Sequence, residues 1–220
     1  MLYNIYDLMK LIIINYGSGN LHSVNKAFEV ANQNLEKPYD IQVTDDPEVV
    51  KLADKIVLPG VGAFADCKKS IFNISGMYDT LEKLVMSKKV PFIGICVGMQ
   101  LLAETAEEFG SHSGFGWIPG SVVKITETDG YKIPHMGWNE VDFVENPIFL
   151  GLEQKTNFYF VHSYYFKTSN AGDTVATTNY PNRITAAVNK ENIFGTQFHP
   201  EKSHDNGQII IKNFLEWVNK

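Results

Sequence analysis

Val90-Pro91-Phe92-Ile93-Gly94-Ile95-Cys96-Val97-Gly98-Met99-Gln100 is the stretch whose reading decides the fold. Val90–Ile95 is a short continuous apolar run, the pattern of a strand buried on both faces. From Val97 the pattern reads as a helix to Glu108 that begins almost without a loop. A strand running directly into a helix is half of an α/β unit. Glycines two residues before and two after Cys96 permit a cramped strand–turn–helix reversal that lifts the side chain out of the sheet.

Working outward, Leu11–Asn15 is a second apolar run, followed by the turn Gly17-Ser18-Gly19-Asn20. Leu21, Val24, Ala27, Phe28 and Ala31 then recur at helical spacing. Ile41–Val43 and Lys55–Leu58 read as further strands, the latter stopping at Pro59-Gly60. Met77, Leu81, Leu84 and Val85 mark another amphipathic helix, and Cys67 falls in a helix after Phe64. Strands alternating with helices predict a parallel sheet, with ligands outside the carboxyl ends of its strands.

From Ser121 the character changes to short strands and turns: Val122–Ile125, Trp138–Phe143, Phe158–His162, Thr174–Thr178, Thr185–Asn189 and Ile193–Phe198. Ile209, Ile210, Phe214, Leu215 and Val218 form a terminal helix. The expected fold is α/β: an open, mostly parallel sheet with helices on both faces and appended antiparallel strands. One domain over residues 10–220 accounts for the pattern. Met9-Lys10 before the first strand resembles a second start, so residues 1–9 read as an N-terminal extension.

The 220 residues carry 19 Lys+Arg against 25 Asp+Glu, a net charge of −6, with 44% apolar residues. This globular composition argues against disorder and against a nucleic-acid partner, which demands a basic face. No apolar run has the length of a membrane span, and residues 1–10 lack a signal peptide's charged start. Two cysteines, Cys67 and Cys96, form no disulfide framework, which points to a reducing, cytoplasmic setting.

Three features could carry chemistry. Cys96 at a helix N-terminus is placed as a thiolate nucleophile, although a lone cysteine in an apolar run is ordinarily a small buried hydrophobe. In Gln197-Phe198-His199-Pro200-Glu201, an extended chain puts Glu201 on the side of the His199 ring, where a carboxylate orients the imidazole. A surface His–Glu pair is the commoner meaning of such a pattern. Leu58-Pro59-Gly60-Val61-Gly62 is a plain turn in most proteins, but its backbone N–H groups could supply half an oxyanion hole, with the Val97 amide as the other half. Together the three are the parts of a Cys-His-Glu acyl-transfer enzyme.

Pro91–Gln100 with Gln197–Glu201 resembles the class I, triad glutamine amidotransferases. Pro134–Asn139, Tyr159–Tyr164 and Lys202-Ser203 are similar to the branch of that family serving histidine biosynthesis, and the likeness runs from about Lys10 to the C-terminus. It implies that Cys96 attacks the side-chain amide of glutamine, that His199 shuttles the proton and that Glu201 orients His199. It implies an oxyanion hole from Val61, Gly62 and Val97, with a loop peptide that must flip. Gln100, Glu108, Ser163 and Tyr164 would hold glutamine, Glu108 at the α-amino group and the Ser163-Tyr164 backbone at the carboxylate. The implied partner is a (β/α)₈-barrel cyclase in a heterodimer, receiving ammonia through a channel and met by Asn20, Met136, Trp138 and Lys202.

A different ammonia-dependent synthase as partner, and an idle regulatory module on the same fold, are the competing readings; an intact triad weighs against the second. Other residues read as structural. Cys67 and Trp117 are expected in the core, and His162 near the glutamine site is given no chemical role. His22, His112 and His204 lack ligand spacing, so no metal is expected. Gly17–Asn20 lacks the frame of a phosphate loop, so no nucleotide cofactor is expected.

Overall fold

The computed structural model describes residues 8–218; most of the expected extension at residues 1–9 lies outside them. The first half lays down β1 (Lys10–Ile14), α1 (Leu21–Asn32), β2 (Asp40–Thr44), α2 (Pro47–Val50), β3 (Lys55–Gly60), α3 (Phe64–Asn73), α4 (Met77–Glu82), β4 (Phe92–Cys96) and α5 (Val97–Gln100). The second half adds β5 (Thr105–Ala106), β6 (His112–Ser113), β7 (Gly120–Lys124), β8 (His135–Phe143), β9 (Thr156–His162), β10 (Tyr164–Thr168), β11 (Thr174–Asn179), β12 (Arg183–Lys190), β13 (Ile193–Thr196) and α6 (His204–Glu216).

One sheet of nine strands runs in the order β2-β1-β3-β4-β13-β12-β11-β8-β9. Pairing is parallel from β2 to β13 and antiparallel beyond it. A second sheet, β10-β7-β5-β6, stands beside it. The appended strands therefore divide: four extend the main sheet and four make a smaller one. β3 and β4, central in the sheet, are buried at every position, while β2 at the edge is only partly covered. This is the division that continuous and interrupted apolar runs predict. α1 packs on α6, where the rings of Phe28 and Phe214 meet edge to face at 6.4 Å, and α3 packs on α4.

Two expectations need correction. The helix expected from Val97 to Glu108 is only four residues long. Beyond Gln100, the carbonyls of Leu101, Leu102 and Ala103 accept from Phe115, Ile118 and Gly116 rather than from the next helical turn. A returning loop thus satisfies the groups that would have continued the helix. The strand expected to stop at Pro59-Gly60 also runs through them, and Pro59 pairs with Ile95 and Gly60 with Cys96.

Candidate active site

Cys96 sits at the carboxyl end of β4 with φ +55° and ψ −111°, a strained backbone for a residue with a Cβ. The flanking glycines explain how the turn closes. A Cβ on Gly98 would lie 1.9 Å from Leu58 O, and one on Gly94 would lie 2.5 Å from Gly98 O. Only bare backbone lets α5 pass so close to β3 and β4.

His199 and Glu201 arrive from the other side. β13 pairs with β4, Thr196 opposite Ile95, so the chain leaving β13 emerges beside Cys96. His199 Nδ1 lies 2.7 Å from Glu201 Oε1, with both side chains almost fully buried. The route differs from the expected one: after an extended His199, residues Pro200–Lys202 make a 3₁₀ turn. It is this turn, not a continued extended chain, that folds the carboxylate back onto the ring. Ser203 Oγ donates to His199 O at 2.7 Å and accepts from Tyr159 N at 3.0 Å, pinning the segment to β9. His199 Nε2 is buried without a hydrogen-bond partner among the described residues. Burial disfavours the charged ring, but the negative charge of a Cys96 thiolate and the Glu201 carboxylate outweigh it and raise its pKa to about 10.

A cavity of about 180 Å³ is lined by Val61, Gly62, Cys96, Val97, Gln100, Glu108, Val161, His162, Ser163, Tyr164 and His199. Of the expected triad, only Glu201 stands outside the lining, behind His199. The expected oxyanion residues and glutamine-binding residues all line it. Gln100 Nε2 donates to Tyr164 O and to Gln197 Oε1, each at 3.0 Å. Glu108 lies in the turn after β5, where its Oε2 accepts from Phe64 N at 2.7 Å and so caps α3. Val61 O is held by Ser18 Oγ at 2.5 Å and by the Cys67 thiol at 3.4 Å. Cys67 is thus buried as expected but also ties α3 to the loop.

The four residues expected at a partner interface are spread around the same end of the sheet. Asn20 accepts from Ser23 N at 3.3 Å and caps α1. Met136 and Trp138 stand on β8 with 62% and 46% of their surface exposed, a large apolar presence in solvent. Trp138 stacks on His204 at 5.1 Å, and Lys202 Nζ lies 5.9 Å from the Tyr159 ring centre. Trp117 is in the core. Two features escaped sequence reasoning. Gln197 Nε2 donates to Cys96 Sγ at 3.6 Å, and His162 is hydrogen-bonded to His135. Neither has a local sequence signal, because each joins residues brought together only by sheet pairing.

A nucleophile-bearing turn, an oriented imidazole and a glycine loop around one cavity define a thiol amidohydrolase. The family profile of glutamine amidotransferase class-I matches residues 12–217, and the chain belongs to that family. The imidazole glycerol phosphate synthase subunit HisH of Rhodopseudomonas palustris is 50% identical over 214 residues, covering 95% of this chain and 99% of that one. The protein of the same name from Rhodospirillum rubrum is 47% identical over 96% of this chain and all of its own length. In fold, a solved glutamine amidotransferase superposes with a TM-score of 0.70 at 16% identity, over 93% of this chain and 97% of that one. Another, from Thermotoga maritima, superposes at 0.59 and 17% identity, over 94% and 83%. No described helix is long and apolar enough to cross a membrane.

Proposed function

We propose that this chain is the glutaminase subunit of an imidazole glycerol phosphate synthase, working in histidine biosynthesis in the cytoplasm. The observation that carries the chemistry is the convergence of Cys96 and the His199–Glu201 pair on one small cavity. The relatives at 47–50% identity over almost their whole length support the pathway.

In the reaction, the Cys96 thiol gives its proton to His199 Nε2, the ring atom left without a partner among the described residues. The sulfur adds to the γ-carbonyl carbon of glutamine. Glu201 holds the ring by Nδ1 and stabilises it while it is charged. The oxyanion is met by N–H groups of the Val61-Gly62 peptide and of Val97, each such donor being worth roughly 3–4 kcal/mol in the transition state. Collapse breaks the C–N bond, and His199 returns the proton to nitrogen, which leaves as ammonia. Water then attacks the thioester with His199 as base, giving glutamate and the free thiol.

The hydrogen bonds within the protein support a role for each binding group. Both N–H bonds of Gln100 are committed within the protein, so its Oε1 is the atom that meets the substrate α-ammonium, together with Glu108 Oε1. The Ser163-Tyr164 backbone takes the α-carboxylate.

The partner is a (β/α)₈-barrel cyclase subunit that receives the ammonia, and Asn20, Met136, Trp138 and Lys202 face it. An exposed Trp beside an exposed Met is the composition of an interface anchor.

The test is glutamine hydrolysis by the purified chain with and without the cyclase and its ribonucleotide ligand. Near-silence alone and strong turnover in the complex are expected. Cys96→Ala abolishes glutamine-dependent synthesis while added ammonium still sustains the partner. Glutamine hydrolysis retained by Cys96→Ala would remove the nucleophile assignment. Co-purification with a different synthase would redirect the ammonia.

A further inference from the structure

A buried imidazole pair, His162 in the lining of the cavity and His135 behind it, is used by none of the steps above. His162, at the end of β9, has Nδ1 2.8 Å from Tyr164 O. Its Nε2 lies 3.0 Å from His135 Nδ1, and His135 Nε2 lies 3.2 Å from Asn139 Nδ2. The ends of this line fix every proton in it. Tyr164 O can only accept, so His162 carries its proton on Nδ1. Burial keeps both rings neutral, lowering the pKa of His135 to about 4 and that of His162 to about 3. A neutral ring has one N–H, so His162 Nε2 accepts from His135 Nδ1, and His135 Nε2 accepts from the Asn139 amide. That amide is itself locked by backbone, since its Nδ2 donates to Asn179 O at 3.1 Å and its Oδ1 accepts from Glu140 N at 2.9 Å. The His135 ring is clamped between Tyr180 and Phe160, at 3.9 and 4.7 Å between ring centres.

What the line holds is the turn from β9 into β10. Tyr164 stands opposite Lys124, and the neighbouring ladder bond runs from Ile125 N to Ser163 O at 2.9 Å. In such an antiparallel position the residue's own N–H and C=O face away from the partner strand, here toward the cavity that Tyr164 lines. His162 and Gln100 both donate to that C=O. The N–H beside it points to the same side, toward the cavity. From Gln100 the hydrogen bonds continue to Gln197 and on to Cys96 Sγ. This second arm reaches the nucleophile through Gln100 and Gln197 alone and does not pass through His162, which touches only the backbone anchor.

We propose that His162, held by His135 and Asn139, is a positioning residue for the backbone subsite that binds the α-carboxylate of the substrate. This rests on the glutaminase reading and deepens it.

The test compares two thiol probes on the full chain. A diazoketone analogue of glutamine carries the α-amino and α-carboxylate groups; iodoacetamide carries neither. His162→Leu is expected to raise the analogue concentration for half-maximal inactivation of Cys96 about tenfold, the loss of one oriented contact to a charged group. Its iodoacetamide rate should stay within about twofold of wild type, since the thiol environment is retained. His162→Asn, whose amide reaches from the position of Nδ1, should restore saturation to within about threefold. His135→Phe, which keeps ring volume, should raise the half-maximal concentration by several-fold and carries the test if His162→Leu does not fold. Equal losses with both probes, or no change with the analogue, would reduce the pair to packing and overturn the proposal. Failure of the wild type to saturate with the analogue would instead overturn the glutaminase reading and this proposal with it.

Discussion

The strained backbone at Cys96 makes an unusual stability prediction. Consider two inactive variants, Cys96→Ala and Cys96→Gly. At an ordinary buried strand position, Ala→Gly costs ~0.5–1 kcal/mol of unfolded-chain entropy and ~0.8 kcal/mol for the lost buried carbon. At position 96, with φ +55° and ψ −111°, glycine also relieves a backbone that costs a residue with a Cβ on the order of 1–3 kcal/mol. Taking the middle of each range, roughly 2 kcal/mol of relief against roughly 1.5 kcal/mol of loss leaves Cys96→Gly about 0.5 kcal/mol more stable than Cys96→Ala. Ala186, fully buried on β12 and outside the positive-φ region, is the control, and Ala186→Gly should cost about 1.5 kcal/mol. Urea unfolding of the four proteins, wild type included, measures all of this. If glycine is as costly at position 96 as at position 186, the turn stores no strain and the reasoning fails.

Gly98→Ala should lower both stability and glutaminase activity. Its Cβ would start 1.9 Å from Leu58 O, a buried backbone atom that cannot rotate away, and relief of such overpacking costs ~1–3 kcal/mol or more. Because the same shift carries the Val97 amide, kcat should fall by more than stability alone explains; full activity in a destabilised variant would dissociate the two. Lys55 predicts a pH effect. Its ammonium donates to Trp217 O at 2.5 Å, and burial, partly offset by Asp54, lowers its pKa to about 8. The unfolded chain then binds more protons between about pH 8 and the ordinary lysine value near 10.4, so folding stability gains with pH across that window. Lys55→Met should remove this gain, seen as a smaller difference in urea midpoint between about pH 7.5 and about pH 10; an unchanged difference would show that Lys55 is not the titrating group.

The parallel half was legible because burial on both faces leaves an unbroken apolar run, as in Leu11–Ile14 and Phe92–Ile95. Helix length was not, because Leu101, Leu102 and Ala103 are as apolar in a turn as in a helix, and the loop that claims their carbonyls lies more than ten residues away. β10 was missed for a different reason. Only Ser163 separates it from β9, and nothing in Tyr164–Thr168 announces that the chain has changed sheets. At the site, Cys96 and the His199–Glu201 pair were visible because each sits in a short motif with its own mechanics. The Gln197–Cys96 and His135–His162 contacts span 101 and 27 residues, and only the register of the sheets defines them.

The position of β13 has a consequence for the timing of synthesis. This strand is the last of the thirteen in sequence, yet it stands fifth of nine in the main sheet, between β4 and β12. A nascent chain that has emerged through β12 already carries the cysteine, its turn and the glycine loop. It lacks the strand that brings the base alongside. The reacting pair is therefore assembled only when this last short strand is inserted into the centre of the sheet, and no amino-terminal fragment ending before it can acquire the activity early. Truncated or stalled products are left with an unsealed sheet and an idle thiol rather than an uncontrolled source of ammonia.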